Sequence, residues 1–251
     1  GGNVNLRWVA AAGTGIGIRV LERDLEVTAA RVRPGRVKVL GGLRIAGFKE
    51  RPAAEWGAEY AAFIRRLRLN YLAATVLLPR REVIVRLLDL PGVEKQDLAS
   101  AVALQIDSLH PYGEEDVDYG WTPVPGSSAV LAAIVRREVI ERHTHLFLEA
   151  GIKVAAFTIS PAALYSAARI LDTRPQGAFL AIGGGQEPEA YGESPARPVF
   201  SALLGEAPER AWALAASELR LESDSQVLGL EQLLPRPAAA PSDFDPAASA
   251  L

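Results

Sequence analysis

ATVLLPRREVIVRLLDLPGVEKQDLASAVALQIDSLHP, residues 74–111, is the stretch from which the rest of the chain is read. It opens with an apolar run, Ala74 to Leu78, broken at Pro79-Arg80-Arg81. A second run, Glu82 to Leu90, stops at Pro91-Gly92. Alternation puts Val83, Val85 and Leu87 on one face of that strand and Ile84, Leu88 and Leu90 on the other. A strand apolar on both faces is a strand buried on both faces. An amphipathic helix follows over Lys95 to His110, with Leu98, Val102, Ile106 and Leu109 on one side. Asp97, near its start, suits the positive end of the helix dipole.

Working outward, Leu6 to Ala12 reads as a first strand, followed by Gly13-Thr14-Gly15-Ile16-Gly17. Ile18 to Leu21, Leu25 to Val32 and Arg36 to Ile45 read as a meander. Glu22-Arg23-Asp24 and Pro34-Gly35 supply its turns, and Arg19, Arg31, Arg36 and Lys38 lie on exposed positions. Pro52 to Leu69 is a helix with Trp56, Tyr60, Phe63, Ile64 and Leu67 as its buried stripe and Arg65, Arg66 and Arg68 in water. Tyr119 to Val124 and Ala129 to Val135 form a hairpin. A helix from Arg136 to Ala150 is stopped by Gly151, and a strand follows over Ile152 to Ile159. Ser160 and Pro161 read as the cap and first position of a helix over Ala162 to Leu171. Further strands are expected at Ala178 to Ile182, Ala190 to Gly192, Pro198 to Leu204, Ser217 to Glu222 and Val227 to Leu230, with a short helix at Pro208 to Ala216. From Pro235 the chain is a Pro/Ala-rich linker, and residues 247–251 read as the first turn of another helix.

The chain has 251 residues, 49% hydrophobic and 23% charged, which is ordinary globular composition. A net charge of −3 without a basic block argues against nucleic acid as the main partner. No run is long enough to span a membrane, and no cysteine is present for a disulfide or a thiolate metal site. His143 and His145 stand two apart on a helix, diverge, and do not share a metal easily even with Glu141 and Glu149 nearby. Ser160 and Ser201 lack the Gly-x-Ser-x-Gly context of a hydrolase nucleophile.

A strand ending LLP, a strand ending LDLPG, a helix ending Leu109-His110-Pro111, an acidic run Glu114-Glu115-Asp116 and a strand Val117 to Trp121 together resemble the PilM/GspL group. These are actin-like proteins of type IV pilus and type II secretion assembly. The resemblance implies an α+β, actin-like (ribonuclease-H-like) two-lobed fold, with mixed sheets flanked by helices and a small inserted α/β subdomain. Its implied divisions are a first subdomain over 1–92, the insert over 93–158, a shortened second lobe over 159–234 and the linker over 235–251. It also implies a cytoplasmic location beside the inner membrane, and a membrane helix is possible beyond residue 251. The implied partners are a PilN-like bitopic membrane protein or its peptide and an assembly ATPase. The peptide groove would be walled by Glu82–Leu90 and Lys95–His110, with Arg86, Leu88, Asp89 and Gln105 as candidate contacts.

An actin-like ATPase grips phosphate with two Gly/Ser/Thr-rich turns and holds Mg²⁺ with an Asp beside each. The matching glycines here are Gly15 and Gly17 in one segment and Gly183, Gly184 and Gly185 in the other. The first segment lacks a carboxylate, the other candidate for that turn, Glu22-Arg23-Asp24, has acids but no glycine or hydroxyl, and Ala181 stands where the second Asp would be. Hydrolysis is therefore not expected and no cofactor is assigned; ATP with Mg²⁺ on those glycines is the alternative, and a tight turn needing positive φ the simpler use of Gly183 to Gly185.

Overall fold

The computed structural model describes residues 12–33, 36–184, 188–205, 208–222 and 225–234. The expectations for the strand at Leu6 to Ala12 (save Ala12), the Pro34-Gly35 turn, Gly185 and the linker from Pro235 lie outside the described residues.

The chain first lays down an antiparallel meander: β1 (Gly13–Val20), β2 (Leu25–Arg33) and β3 (Arg36–Ile45). Helix α1 (Ala53–Arg66) then crosses back, and β4 (Ala74–Leu77) returns parallel to β1. Later β8 (Val154–Thr158) joins parallel to β4, completing a sheet in the order β3-β2-β1-β4-β8. The second lobe repeats this scheme in shortened form. β9 (Phe179–Ile182), β10 (Glu189–Glu193) and β11 (Phe200–Leu203) form a meander. Helix α5 (Pro208–Leu219) crosses back, and β12 (Gln226–Gly229) pairs parallel to β9. Two copies of meander, helix and parallel strand make the two-lobed arrangement implied by the resemblance.

Between β4 and β8 sits the insert: β5 (Val83–Asp89), α2 (Leu98–Ile106), β6 (Val117–Pro123), β7 (Ala129–Arg136) and α3 (Arg137–Glu149). β5 pairs with β7 and not with the first sheet, while β8 belongs to the first sheet. The expected insert of 93–158 is corrected accordingly: it runs from β5 through α3. The sequence reading of β5 as buried on both faces holds. Val83, Val85 and Leu87 face the main core; Ile84, Leu88 and Leu90 face α2, where Val102 and Ile106 complete a second cluster.

Three local expectations change. Gly13 to Gly17 is strand, because Ile16, Ile18 and Val20 alternate into the core and the backbone is paired with β2 throughout. Residues 217–219 continue α5, because Ala215 and Leu219 keep helical spacing into a core with Leu180 and Phe200; Arg220, at φ 51, ends the helix. Ser160 opens α4 (Ser160–Ile170) from inside it, Ile159 being the cap, and its hydroxyl is used elsewhere. A four-residue helix α6 (Leu230–Leu233) closes the described chain.

Contacts of α1 and α3 set the insert against the first lobe. Phe48, Trp56 and Phe147 form an edge-to-face ladder, with centroid separations of 5.9 and 6.2 Å. Gly57 of α1 lies so close to the end of α3 that a Cβ there would stand 2.2 Å from the Ala150 carbonyl oxygen.

Candidate functional site

Ligands of parallel α/β sheets collect beyond the carboxyl ends of the strands. Here residues at the ends of β4, β8 and β9 meet at one seam between the lobes, and side chains bridge it. Arg80, just after β4, donates from Nε to Ser201 Oγ (3.1 Å), from Nη2 to the Ser201 carbonyl (3.3 Å) and from Nη1 to the Val83 carbonyl (2.9 Å). Its Nε lies 3.5 Å from Glu189 Oε1, each side chain being 13% exposed. The hydroxyls of Ser160 and Ser201 donate to that same oxygen at 2.6 and 2.7 Å. Burial pulls the Arg80 guanidinium below its ordinary pKa, against the opposing pull of Glu189. This cluster ties the first lobe and the start of the insert to β10 and β11.

The glycines chosen from sequence do not assemble into a phosphate clasp among the described residues. Gly15 and Gly17 lie within β1, opposite Ala30 and Thr28. The actual β1–β2 turn is 21–24, closed by the Leu21 amide donating to the Asp24 carbonyl. The Asp24 carboxylate is engaged by Arg44 at 2.6 and 2.9 Å and by the Gly47 amide at 3.0 Å. Burial raises its pKa, but the Gly47 and Arg44 bonds outweigh that and hold it below the ordinary carboxylate value. Gly183 and Gly184 are not left-handed, so the expected positive-φ turn is corrected at these two positions. Gly183 answers to space instead: a Cβ would sit 3.2 Å from Leu230 Cδ2 and 3.4 Å from the Glu189 carbonyl. Ala181 is fully buried in β9 between Tyr191 and Leu228.

The facing sides of β5 and α2, the two elements expected to wall the peptide groove, are packed against each other. Leu88 is 6% exposed, and Leu90, Val102, Ile106 and Ile134 fill the space between strand and helix. Arg86 and Asp89 are exposed; Arg86 donates to the Val85 carbonyl and Asp89 accepts from the Ser128 hydroxyl. Gln105 is half-buried, on α2.

An open concavity lies on the other side of the insert. A cleft of about 870 Å³ separates α3 from the first lobe, with Val20, Phe48, Pro79 and Leu146 as its apolar lining. Glu82, Glu138, Glu141 and Glu149 bring four acids to it, against the cations Lys49 and Arg142. Leu148, 71% exposed, shares the helix face of Glu141 and His145.

At the cleft wall, His143 Nε2 meets Glu82 Oε2 at 2.8 Å, and Arg142 Nη2 donates to Glu82 Oε1 at 2.8 Å. His143 is 3% exposed and its Nδ1 has no partner among the described residues. Burial raises the Glu82 pKa, but His143 and Arg142 more than offset it, so the carboxyl ionises below its ordinary value. The sequence reading weighed this histidine only beside His145, as a metal pair that it did not support. The overlooked signal was its place in the stripe Val139, Ile140, His143, Phe147.

A third cluster supports the seam from behind. Glu193, 1% exposed, accepts from Arg169 at 2.9 and 2.8 Å, from Arg174 at 2.7 Å and from the Tyr191 hydroxyl at 2.6 Å. Burial favours its neutral form, yet these donors hold its pKa below the ordinary value; burial and the Glu193 charge push the Tyr191 hydroxyl well up.

No protein-family model matches the sequence, and no curated protein matches it. Solved structures do. One, described as the PilM–PilN type IV pilus biogenesis complex, is 17% identical at a TM-score of 0.60, over 84% of this chain and 67% of that one. Another, the cytoplasmic domain of EpsL, an inner-membrane component of the type II secretion system of Vibrio cholerae, is 14% identical at 0.58, over 95% and 93%. At these identities the likeness is one of fold: the chain has the actin-like, α+β fold.

Proposed function

We propose that this chain is a docking body in the inner-membrane assembly platform of a type IV pilus or type II secretion machine. It grips the cytoplasmic peptide of a bitopic membrane protein in the cleft beside α3. The observation that carries the reading is that cleft: an apolar floor backed by the Phe48–Trp56–Phe147 ladder, under a rim with more acids than bases. It fits an extended segment with apolar anchors and a basic flank. The likeness to a PilM–PilN complex and to the EpsL cytoplasmic domain supports both the setting and the class of partner. An assembly ATPase is the second partner of this reading, on a surface yet to be assigned.

The reading treats the actin-like fold as a scaffold and not as a hydrolase. Arg80 and Glu189 neutralise each other in the seam, Asp24 is engaged by Arg44, and Ala181 offers no ligand to Mg²⁺. The chain is expected to show no thermal shift with Mg·ATP, since only a ligand that binds the folded state raises its stability. The direct test is titration of a labelled PilN-type cytoplasmic peptide. Reversing Glu138, Glu141 and Glu149 to Lys removes three exposed rim charges worth about 0.5 kcal/mol each, so affinity is expected to fall about tenfold. Equal affinity of the parent and the triple variant sinks the assignment.

A further inference from the structure

The end of the first sheet that points away from the seam carries a concentration of cations that the docking reading does not use. Residues 27–43 hold four basic side chains and no acid, and residues 60–79 hold three and no acid, in a chain whose net charge is −3. The register makes the crowding specific. Arg31 stands directly opposite Lys38, and Arg33 directly opposite Arg36. Like charges facing each other across two strands destabilise a hairpin. All four side chains are exposed. Arg31 donates to the Thr14 hydroxyl, while Arg33, Arg36 and Lys38 make no ion pair among the described residues.

The same face gathers more. A Cβ on Gly41 of β3 would touch Phe63 and Leu67, so that face of the sheet is the one that α1 covers. Gly41 pairs with Ala29, and alternation along β2 carries Arg31 and Arg33 onto the same face. Arg65, Arg66 and Arg68, exposed at the end of α1, extend the patch from above. Tyr71, 72% exposed, follows in the α1–β4 connection. Protection of an edge strand explains charge on β3. It does not explain arginines on the inner strand β2 or at the helix end.

We infer that this basic end of the first lobe is a binding surface for anionic lipid headgroups on a bilayer. The choice of a membrane as partner rests on the inner-membrane reading above; the charge pattern itself does not. The observations favour lipid over nucleic acid. The cations lie on the exposed sheet end and helix end, with an exposed tyrosine in the connection that follows, an aromatic of the kind that settles at a headgroup interface. An anionic surface offsets the two facing cation pairs, and each Lys or Arg brought to it strengthens partition roughly fivefold.

The test is flotation of the full chain with phosphatidylcholine vesicles with and without one-quarter phosphatidylglycerol, for the parent and for the triple variant R33Q/R36Q/K38Q. The parent is expected to bind the phosphatidylglycerol vesicles, to lose them as salt rises, and to ignore pure phosphatidylcholine. The triple variant is expected to bind about a hundredfold more weakly. Its melting temperature should hold or rise, since both like-charge pairs are relieved, so weakened binding cannot be laid to misfolding. Equal vesicle binding by parent and variant overturns the inference. So does a single-stranded oligonucleotide that binds the parent while anionic vesicles do not. Vesicle binding that survives a failed peptide titration supports the lipid surface and removes only the peptide reading.

Discussion

Replacing Arg80 by Met tests whether the seam is a fixed joint. The thioether chain keeps much of the stem volume and removes the guanidinium. What is lost is three hydrogen bonds, to Val83, Ser201 Oγ and the Ser201 carbonyl, and the 3.5 Å contact with Glu189. Removing one partner of a buried charge pair costs about 3–5 kcal/mol, because the other charge is left uncompensated. Glu189 keeps two hydroxyl donors, Ser160 and Ser201, so the lower end applies and R80M is expected to destabilise by about 3 kcal/mol. In E189Q, Arg80 keeps its Val83 and Ser201 acceptors, and about 2 kcal/mol is expected. The double variant should recover about 1–2 kcal/mol relative to the sum, since contacting residues of one network couple by that order. Urea denaturation of the four proteins closes the cycle, and hydrogen exchange adds the location: amides of β10 and β11 should lose protection in R80M. A loss below 1 kcal/mol for R80M, or strict additivity in the double variant, would show that the seam is solvent-like and refute the reasoning.

Three further outcomes are expected. Gly15→Ala should be neutral or stabilise by about 0.5 kcal/mol in chemical denaturation, because a Cβ there meets nothing within 4 Å and glycine weakens a strand interior; a marked loss would mean that this glycine serves a turn. Gly57→Ala should destabilise by about 2 kcal/mol despite its better helix propensity, because α3 must move off α1, and peptide capture should weaken with it; an unchanged melting temperature would contradict the packing. Glu193→Gln should cost about 3 kcal/mol at neutral pH. Its folded pKa is depressed, so its contribution is complete above the unfolded value near 4.3 and fades as pH falls below it; the parent should therefore lose stability more steeply than E193Q on acidification, and parallel pH profiles would count against the cluster.

What the sequence made legible was local and periodic. The alternation in Glu82 to Leu90 and the helical stripe of Trp56, Tyr60, Phe63 and Ile64 follow from repeat lengths alone, and both survive in the fold. Gly13 to Gly17 misled because glycine signals a turn when neighbours are ignored; Ile16, Ile18 and Val20 carried the stronger period. Ser217 to Glu222 alternates like a strand, yet Leu219 also sits four residues after Ala215, and the second-lobe core decides between two periods that both fit. The seam was beyond reach for a different reason. Arg80 and Ser201 are 121 positions apart, and Arg142 and Glu82 are 60 apart, so no window along the chain holds both partners.

That separation bears on function. In a nucleotide-driven actin-like machine, the lobes must change their relation when phosphate and metal come and go, so the seam has to be filled by the ligand. Here it is bridged by Arg80, Glu189 and two hydroxyls from the chain itself, and the second-lobe strand β10 is held again at Glu193 by Arg169 and Arg174. A joint satisfied by its own side chains gives a ligand no vacant partner through which to bias it. On the proposed docking reading such a joint suits a preformed site, which binds a peptide without the ordering loss that a mobile site imposes. On the proposed scaffold reading, Ala181 and the bridged seam act in the same direction, against a metal–nucleotide ligand. Restoring Asp at 181 alone should not recover Mg·ATP binding while Arg80 and Glu189 remain.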